Sequence, residues 1–361
     1  MSATAPQPRP GILDLSPYVG GEGRMAAGVT PVRLASNENP RGCSPLARAA
    51  YLAAADDLNR YPDGNATALR NAIAAKYSLP VEQIVCGAGS DQLISMIMRG
   101  YAGPGDEVVH SRHGFLMYSV AARAVGAKPV AVDEKQLTTD IDAVIAAVTD
   151  KTKIIMLANP NNPTGSLLPA SEIARLIDKV PPHVVIVLDA AYAEYVEDAN
   201  YNAGEQFVAS HDNVVMLRTF SKVHGLAALR LGWGYFPPAM ADAMNRLRGP
   251  FNVSVPAQAA GIAALSDDDF VEATVEKNTR ERARLAQALD QLGLGVHPSA
   301  GNFLLVDFGA RAESIRLALK ERGIFVRQMG AYELPTHLRI TVGLKIDNDQ
   351  LIEALEEILG G

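Results

Sequence analysis

The chain has 361 residues and is 48% hydrophobic, so it can bury a large core, and we expect two domains or one large domain with a smaller appendage. Its net charge of −7, from 33 basic and 40 acidic residues without a basic block, argues against a nucleic-acid or membrane-surface role. No apolar run approaches the roughly 20 residues of a membrane span, and the widely separated Cys43 and Cys86 fit no metal spacing, so we expect a cytoplasmic protein with reduced thiols.

The predicted elements divide the chain into three parts. Residues 1–10 are rich in Pro, Ala and Ser, and we interpret residues 1–30 as an N-terminal arm. Within residues 31–245, short aliphatic runs alternate with longer amphipathic segments, which predicts a large domain with a mostly parallel sheet. Residues 246–361 contain long charged helices and short strands, which predicts a small α+β domain. The predicted strands are 83–86, 107–110, 153–157, 184–188, 214–217, 302–308 and 337–342, and a long helix is predicted at 273–292.

Two segments that follow predicted strands are rich in polar and turn-forming residues. Residues 85–94 (VCGAGSDQLI) place two glycines and Ser90 before a helix, where backbone N–H groups can cradle a phosphate, although an ordinary turn is the alternative. Residues 157–165 (LANPNNPTG) predict a rigid loop that directs Asn162 inward, with the Asn162–Pro163 bond a candidate for a cis peptide. A purely structural turn is the alternative for this second segment.

A wholly apolar strand delivers Asp189 to the edge of the predicted sheet, and Tyr192 follows three residues later. A carboxylate in that position can keep a pyridinium ring protonated, so that the ring acts as an electron sink. Tyr192 could then donate a hydrogen bond to an oxygen on that ring. A helix cap and a metal ligand are the alternatives for Asp189.

The segment 214–230 (VVMLRTFSKVHGLAALR) ends an apolar strand in a loop of small and hydroxyl-bearing residues around Lys222. A lysine placed there can bond covalently to an aldehyde. Thr219 and Ser221 supply hydroxyls for phosphate oxygens, and Arg230 adds a fixed positive charge. Together these groups predict a phosphorylated aldehyde cofactor, pyridoxal phosphate, although a surface lysine after a strand is the alternative.

The motifs NPNNPTG, LDAAYAEY and TFSK followed by LRLGWG resemble, in this order, those of the fold type I aminotransferases. The resemblance covers nearly the whole chain. LASNENPRG at 34–42, LNRYPDGNATALR at 58–70, GAGSDQL at 87–93 and HLRITVG at 337–343 are similar to the histidinol-phosphate aminotransferase branch. The family implies an α/β fold, with a mostly parallel seven-stranded sheet flanked by helices in the large domain and a smaller α+β domain.

The resemblance also implies roles for individual residues around pyridoxal 5′-phosphate. Lys222 would bind the cofactor and shuttle a proton between the substrate Cα and the cofactor C4′. Asp189 would pair with the pyridinium nitrogen, Asn162 and Tyr192 would bind the 3-oxygen, and Phe115 would stack on the ring. The groups implied to bind the phosphate are the backbone of Ala88 and Gly89 and the side chains of Ser90, Thr219, Ser221 and Arg230.

Substrate and subunit contacts are implied in the same way. Arg339 would grip the substrate α-carboxylate, and Arg327 would bind the phosphate of histidinol phosphate or the distal carboxylate of glutamate. Tyr61 would reach the cofactor phosphate of a neighbouring subunit, which implies a homodimer with shared active sites. The remaining residues implied to line the pocket are Asn37, Tyr18 and Asn252.

Two residues depart from the family pattern: Ala190 follows the aspartate, and Arg41 occupies a motif position where tyrosine or leucine is more usual. We expect Arg41 and Arg112 to alter the charge near the entrance of the site. The implied activity is a ping-pong transamination between L-glutamate and 2-oxoglutarate on one side and L-histidinol phosphate and imidazole-acetol phosphate on the other, in histidine biosynthesis. An aromatic-amino-acid (phenylalanine/tyrosine) aminotransferase and a pyridoxal-phosphate-dependent decarboxylase are the alternatives.

Overall fold

The computed structural model describes residues 8–9, 11–15, 17, 20 and 31–360. Most of the predicted arm at 1–30, including Tyr18, lies outside the described residues. Within the described part of the chain, none of the helices has both the length and the apolar character needed to cross a membrane.

Strands and helices alternate along most of the described chain. The β-strands are β1 Val32–Leu34, β2 Ile84–Gly87, β3 Glu107–Ser111, β4 Lys128–Val132, β5 Glu134–Lys135, β6 Thr138–Thr139, β7 Thr152–Ala158, β8 Val185–Asp189, β9 Val214–Thr219, β10 Gly232–Tyr235, β11 Gly295–Val296, β12 Phe303–Asp307, β13 Ile324–Gln328 and β14 His337–Thr341. The α-helices are α1 Pro45–Ala53, α2 Thr67–Tyr77, α3 Ser90–Tyr101, α4 Met117–Ala124, α5 Ile141–Ala146, α6 Ala170–Lys179, α7 Glu205–Ser210, α8 Pro238–Leu247, α9 Val255–Leu265, α10 Asp268–Gln291, α11 Ala312–Glu321 and α12 Lys345–Gly360.

A seven-stranded sheet with the order β2-β10-β9-β8-β7-β3-β4 forms the larger layer. Every pair is parallel except those of β10, which runs antiparallel to both β2 and β9. Its inner strands β8 and β9 are buried at every position because helices cover both faces of the sheet. The predicted α/β class with a mostly parallel seven-stranded sheet is therefore confirmed.

Alternate residues of each strand enter two different apolar cores. Ile155 and Ile186 pack with α2, α6 and α9 on one face, whereas Ile154 and Val185 pack with α3, α4 and α8 on the other. This alternation is the two-residue period of a pleated strand with both faces buried. The sheet therefore stands between two helical layers.

A second, five-stranded sheet has the order β1-β13-β14-β12-β11, with β1 parallel to β13 and the other pairs antiparallel. Two features depart from the predicted division into residues 31–245 and 246–361. Strand β1 joins this smaller sheet, because Val32–Leu34 pairs with Ile324–Val326. Helix α9 packs its residues into the core of the seven-stranded sheet. The pairing of β1 and the packing of α9 both join segments that are far apart in the chain. The division into domains at residues 31–245 and 246–361 remains a prediction.

The carboxyl ends of β7, β8 and β9 meet at one edge of the larger sheet. Ala158 pairs with Asp189, which in turn pairs with Leu217 on the next strand. In sheets of this kind ligands bind outside the carboxyl ends of the strands. The loops that carry Asn162, Asp189 and Lys222 therefore start side by side.

Candidate active site

A cleft of about 270 Å³ opens at this edge, between the two sheets. The predicted residues that line it are Asn37, Ser90, Phe115, Asn162, Asp189, Tyr192, Thr219, Ser221, Lys222, Arg230, Arg327 and Arg339. The cleft thus joins residues that are as much as 304 positions apart in the sequence, from 35 to 339. Among the described residues, no group of three or more His, Cys, Asp or Glu side chains is arranged to hold a metal ion.

The Asp189 carboxylate lies buried at the floor of the cleft, at the end of β8. Its Oδ2 accepts a hydrogen bond from the Tyr118 hydroxyl at 2.7 Å, and its Oδ1 accepts a longer one from the Ala191 N–H at 3.3 Å. Burial raises the pKa of Asp189 to about 6, because removal from water disfavours the charged form more than these hydrogen bonds favour it. A cationic donor in the cleft would relieve that penalty.

Tyr118 is a site residue that the sequence reasoning missed. It lies on α4, fully buried, and its ring meets that of Phe115 edge to face at 5.8 Å between centroids. The available signal was its spacing, since it follows Phe115 by three residues, about one helical turn. Its hydroxyl orients the Asp189 carboxylate, and both Tyr118 and Phe115 line the cleft.

The Lys222 ammonium lines the same cleft as Asp189. Its Nζ donates to the carbonyl oxygen of Ser36 at 3.5 Å and lies 5.5 Å from the centre of the Tyr192 ring. The Tyr192 hydroxyl accepts a hydrogen bond from Asn37 Nδ2 at 2.9 Å, so the ring is held in place from the opposite wall. The structure therefore brings Lys222, Tyr192 and Asp189 together around one space.

An anion-binding corner lies at the other end of the cleft, where α3 begins. Arg230 donates from NH1 to Ser221 Oγ at 3.3 Å and from NH2 to Asp91 Oδ2 at 3.1 Å. Gly89 has φ +80°, and a Cβ on it would lie 2.5 Å from Arg230 NH2. The helix N-terminus and the guanidinium together favour a bound anion, and only glycine allows their close approach.

Asn252 and the backbone of Ala88 lie behind this corner and do not line the cleft. The Ala88 N–H donates to Gln92 Oε1 at 2.8 Å, and the same oxygen accepts a hydrogen bond from Asn252 Nδ2 at 2.7 Å. Asn252 Nδ2 also donates to the Cys86 carbonyl at 3.1 Å. In the described conformation Asn252 therefore braces the loop between β2 and α3, whereas the sequence reasoning placed it in the substrate pocket.

Arg339 projects into the cleft from β14 of the smaller sheet. Its NH1 hydrogen-bonds Asn162 Oδ1, its NH2 donates to the Ala35 carbonyl at 3.0 Å, and its guanidinium lies over the Phe303 ring. The Asn162–Pro163 peptide is cis, as predicted, and so is the Asn159–Pro160 peptide. Arg327, on the neighbouring strand β13, also lines the cleft, so two arginines face it from the smaller sheet.

Three predicted residues stand apart from the cleft. Tyr61 is 82% exposed and stacks on Phe251 with 4.6 Å between ring centroids. Arg112 is engaged by Asp133 at 2.7 Å and by Glu333 at 3.2 Å. Arg41 is absent from the cleft lining and lines a different cavity, so the expectation that it sits near the entrance is wrong.

Comparison with known proteins places the whole chain in one family. The profile of the family described as aminotransferase class I and II matches residues 29–358. The chain is 54% identical to the histidinol-phosphate aminotransferase of Rhodospirillum centenum, over 99% of this chain and 100% of that protein. It is 49% identical to the enzyme of that name from Rhodospirillum rubrum, over 99% and 98% of the two chains. The solved histidinol-phosphate aminotransferase of Sinorhizobium meliloti, in complex with pyridoxal-5′-phosphate, matches with a TM-score of 0.91 and 31% identity over 100% of this chain and 99% of that one. The chain belongs to the class I and II aminotransferases.

Proposed function

We propose that the chain is a pyridoxal-phosphate-dependent histidinol-phosphate aminotransferase, which exchanges an amino group between L-glutamate and imidazole-acetol phosphate. The observation that carries the proposal is the convergence of Lys222, Asp189, Arg230 and Arg339 on one cleft. Identity of 54% over the full length of a relative with this name supports the choice of substrate. The free thiols of Cys43 and Cys86 agree with work in the cytoplasm, where thiols stay reduced.

The chemistry of Asp189 fits the ring of this cofactor. A buried carboxylate whose pKa is raised to about 6 gains most from a charged N–H donor, and a pyridinium nitrogen is such a donor. When bound, pyridoxal phosphate supplies an electron-poor ring that makes the substrate Cα–H acidic. Asp189, which Tyr118 orients, would pair with the ring nitrogen and keep it protonated, and Asn162 and Tyr192 would bind the 3-oxygen.

The anion corner fits the phosphate of the same molecule. Ser90 begins α3, where the helix dipole and the free N–H groups favour negative charge, and the hydroxyls of Thr219 and Ser221 stand beside it. Arg230, whose NH2 donates to Asp91 at 3.1 Å, has further N–H groups that would donate to the phosphate. Thr219 accepts the Ser221 N–H at 3.1 Å, which holds both hydroxyls in one turn.

Arg339 would bind the substrate carboxylate, and Lys222 would transfer the proton at the substrate Cα. Arg339 presents a guanidinium fork that matches the two oxygens of an α-carboxylate, and it is aligned by Asn162 and the Ala35 carbonyl. With the carboxylate held there, the Nζ of Lys222 would be the base that takes up the proton of the substrate Cα and the acid that returns it. Arg327 is the cation available for the distal phosphate or carboxylate of the two substrates.

We also propose a homodimer in which Tyr61 completes the phosphate site of the partner. Large apolar side chains are exposed on α1 and on the segment that follows it, with Leu52 57% and Leu58 67% exposed. Tyr61 and Phe251 continue this surface as a stacked pair. Apolar side chains grouped in this way are typical of a protein interface.

Steady-state rates with competing amino acceptors test the proposal. We expect imidazole-acetol phosphate to give the highest kcat/KM, above phenylpyruvate, with L-glutamate as donor. Lys222→Ala is expected to lower kcat by at least about 1,000-fold, within the range that a positioned acid-base group contributes, while Lys151→Ala, an exposed lysine, controls for loss of charge. Preference for phenylpyruvate would favour the aromatic aminotransferase, carbon dioxide release would favour a decarboxylase, and unchanged turnover in Lys222→Ala would reject the mechanism.

A further inference from the structure

A second cavity, of about 560 Å³, lies behind the segment that lines the active cleft. Residues 36–38 of this segment face the cleft, whereas residues 39–41 face the second cavity. We call residues 36–41 the strap and the second space the rear cavity. One face of α10 and residues 342–345 form its other walls. The strap therefore separates the active cleft from the rear cavity.

The rear cavity carries an excess of positive charge. Five cationic side chains line it against the single carboxylate of Glu281: Arg41, Lys277, Arg280, Arg284 and Lys345. Arg284 is paired with Glu281 at 2.7 Å and with Asp349 at 2.8 Å, and Lys345 is paired with Asp349 at 2.6 Å. In the part of the chain that the structure describes, no carboxylate pairs with Arg41 or Lys277. Arg280 is paired with Glu276 at 3.7 Å, so Arg41 and Lys277 are the two lining cations left for an anion.

Arg41 is one of the two residues that depart from the family pattern, and it is held in place by contacts with α10. Its NH1 donates to the Phe270 carbonyl at 3.0 Å and to Thr274 Oγ1 at 2.7 Å, and the guanidinium lies 4.8 Å from the centre of the Phe270 ring. These contacts hold one edge of the guanidinium against α10, so the remaining N–H groups are oriented before any ligand arrives.

Apolar side chains complete the walls of the rear cavity. Pro40, Val342 and Leu344 line it together with the Tyr195 ring. Tyr195 and Val342 are already buried, so the apolar surface in contact with water is that of Pro40 and of Leu344, which is 40% exposed. A bare inorganic anion would leave this surface wet, whereas a small organic acid with an apolar body would cover it. We propose that the rear cavity binds a small organic anion, with its acidic group on Arg41 and Lys277 and its apolar body against these walls, and that this ligand tightens binding in the active cleft.

The contacts of the strap explain the coupling. Asn39 Nδ2 donates to the carbonyl of Val223, the residue after Lys222, at 2.8 Å. Asn302, at the floor of the rear cavity, donates to the Asn37 carbonyl at 3.0 Å, and Asn37 in turn holds the Tyr192 hydroxyl. A ligand that binds the rear cavity would favour the conformation in which the strap makes these hydrogen bonds to Val223 and Asn302. The same conformation aligns Tyr192 and the loop of Lys222, so the ligand lowers the KM for the amino donor.

Binding is tested on the full chain saturated with pyridoxal phosphate, using the fluorescent aromatic monoanion 1-anilinonaphthalene-8-sulfonate as the probe. We expect saturable binding that is weakened about 10-fold by Arg41→Gln and about threefold by Lys277→Gln, since the first cation is half-buried and the second exposed. Arg246→Gln, which removes an exposed arginine on α8 outside the cavity, is the matched control. Lys277 has an exposed side chain, so its replacement leaves the fold intact even if Arg41→Gln does not.

Competition with non-fluorescent acids tests the apolar body. Phenylacetate is expected to displace the probe at a concentration at least about 10-fold lower than acetate, because its phenyl ring removes apolar surface from water and acetate has no such ring. Equal displacement by the two acids overturns the assignment, as does binding that is the same in Lys277→Gln, Arg246→Gln and the unmodified chain.

Kinetics test the coupling. Saturating phenylacetate is expected to lower the KM for L-glutamate about fivefold in the unmodified chain, the lower end of the usual range for coupled sites, and Lys277→Gln is expected to need about threefold more phenylacetate for the same effect. Without the ligand, Lys277→Gln is expected to keep the KM of the unmodified chain. An unchanged or raised KM in the presence of phenylacetate overturns the coupling.

Discussion

The buried Asp189 carboxylate is expected to destabilise the folded protein at neutral pH when the cleft holds no cofactor. Its side chain lies at the end of β8 with one strong and one long hydrogen bond, and burial raises its pKa to about 6 from an ordinary value of 3.8. Replacement by asparagine removes the charge and keeps the shape. We therefore expect Asp189→Asn to be more stable than the unmodified chain at neutral pH and, on the proposed function, to be inactive.

The size and pH window follow from the pKa shift. Because the folded state holds the proton more tightly than the unfolded state, the stability contributed by the protonated form is complete below about pH 4 and is lost as pH rises through about 6. A shift of about 2 units corresponds to about 3 kcal/mol, of which about 1.4 kcal/mol is lost between pH 5 and pH 8. Asp189→Asn has no ionisable group at this position, so its stability does not fall in this way as the pH rises.

Urea unfolding of the cofactor-free protein at pH 5 and pH 8 measures the effect. The advantage of Asp189→Asn over the unmodified chain is expected to grow by about 1.4 kcal/mol from pH 5 to pH 8. Asp212→Asn, which removes an exposed carboxylate, controls for the loss of one negative charge. An advantage that is the same at both pH values would refute the reasoning. Added pyridoxal phosphate should reverse the order, because only the carboxylate can pair with a charged ring nitrogen.

Three further substitutions test the geometry of the site. Arg339→Lys is expected to raise the KM for L-glutamate about 10- to 100-fold in steady-state assays, since an ammonium cannot form two parallel hydrogen bonds to a carboxylate; an unchanged KM contradicts the assignment. Gly232→Ala would place a Cβ 2.4 Å from the backbone nitrogen of Ser90, so thermal unfolding should report a loss of about 1–3 kcal/mol and titration a weaker affinity for pyridoxal phosphate. Asn252→Ala is expected to weaken cofactor affinity about fivefold through Gln92 while leaving the KM for L-glutamate unchanged, and a raised KM instead would restore Asn252 to the substrate pocket.

Much of the fold could be read from local sequence because its central strands are short apolar runs followed by polar loops. The predicted runs at 153–157, 184–188 and 214–217 all lie within observed strands, or within one residue of them. The long helix begins at Asp268, five residues before the predicted start, because the Asp267 side chain caps it by accepting the Phe270 N–H at 3.2 Å. Strand β10 was not predicted, since Gly232–Tyr235 is only four residues long and owes its place to β2 and β9.

The chain itself determined where the chemistry lies. Apolar runs form the inner strands of a parallel sheet, and the carboxyl ends of such strands share one edge, so Asp189 and Lys222 had to meet there. This inference needs only local hydrophobicity and the rules of strand pairing. The cis peptide at Asn162–Pro163 was accessible in the same way, from residue types alone.

Tertiary structure decided the partners of these residues, because each partner arrives from a distant part of the chain. The Tyr118 hydroxyl reaches Asp189 across 71 residues, and Asn37 reaches Tyr192 across 155. Arg41 departs from the family motif within a segment that otherwise lines the active cleft, yet its side chain lies on the opposite side of the strap, against α10. Local sequence cannot specify which side of a partition a residue faces, since that depends on the packing of the two sheets against each other.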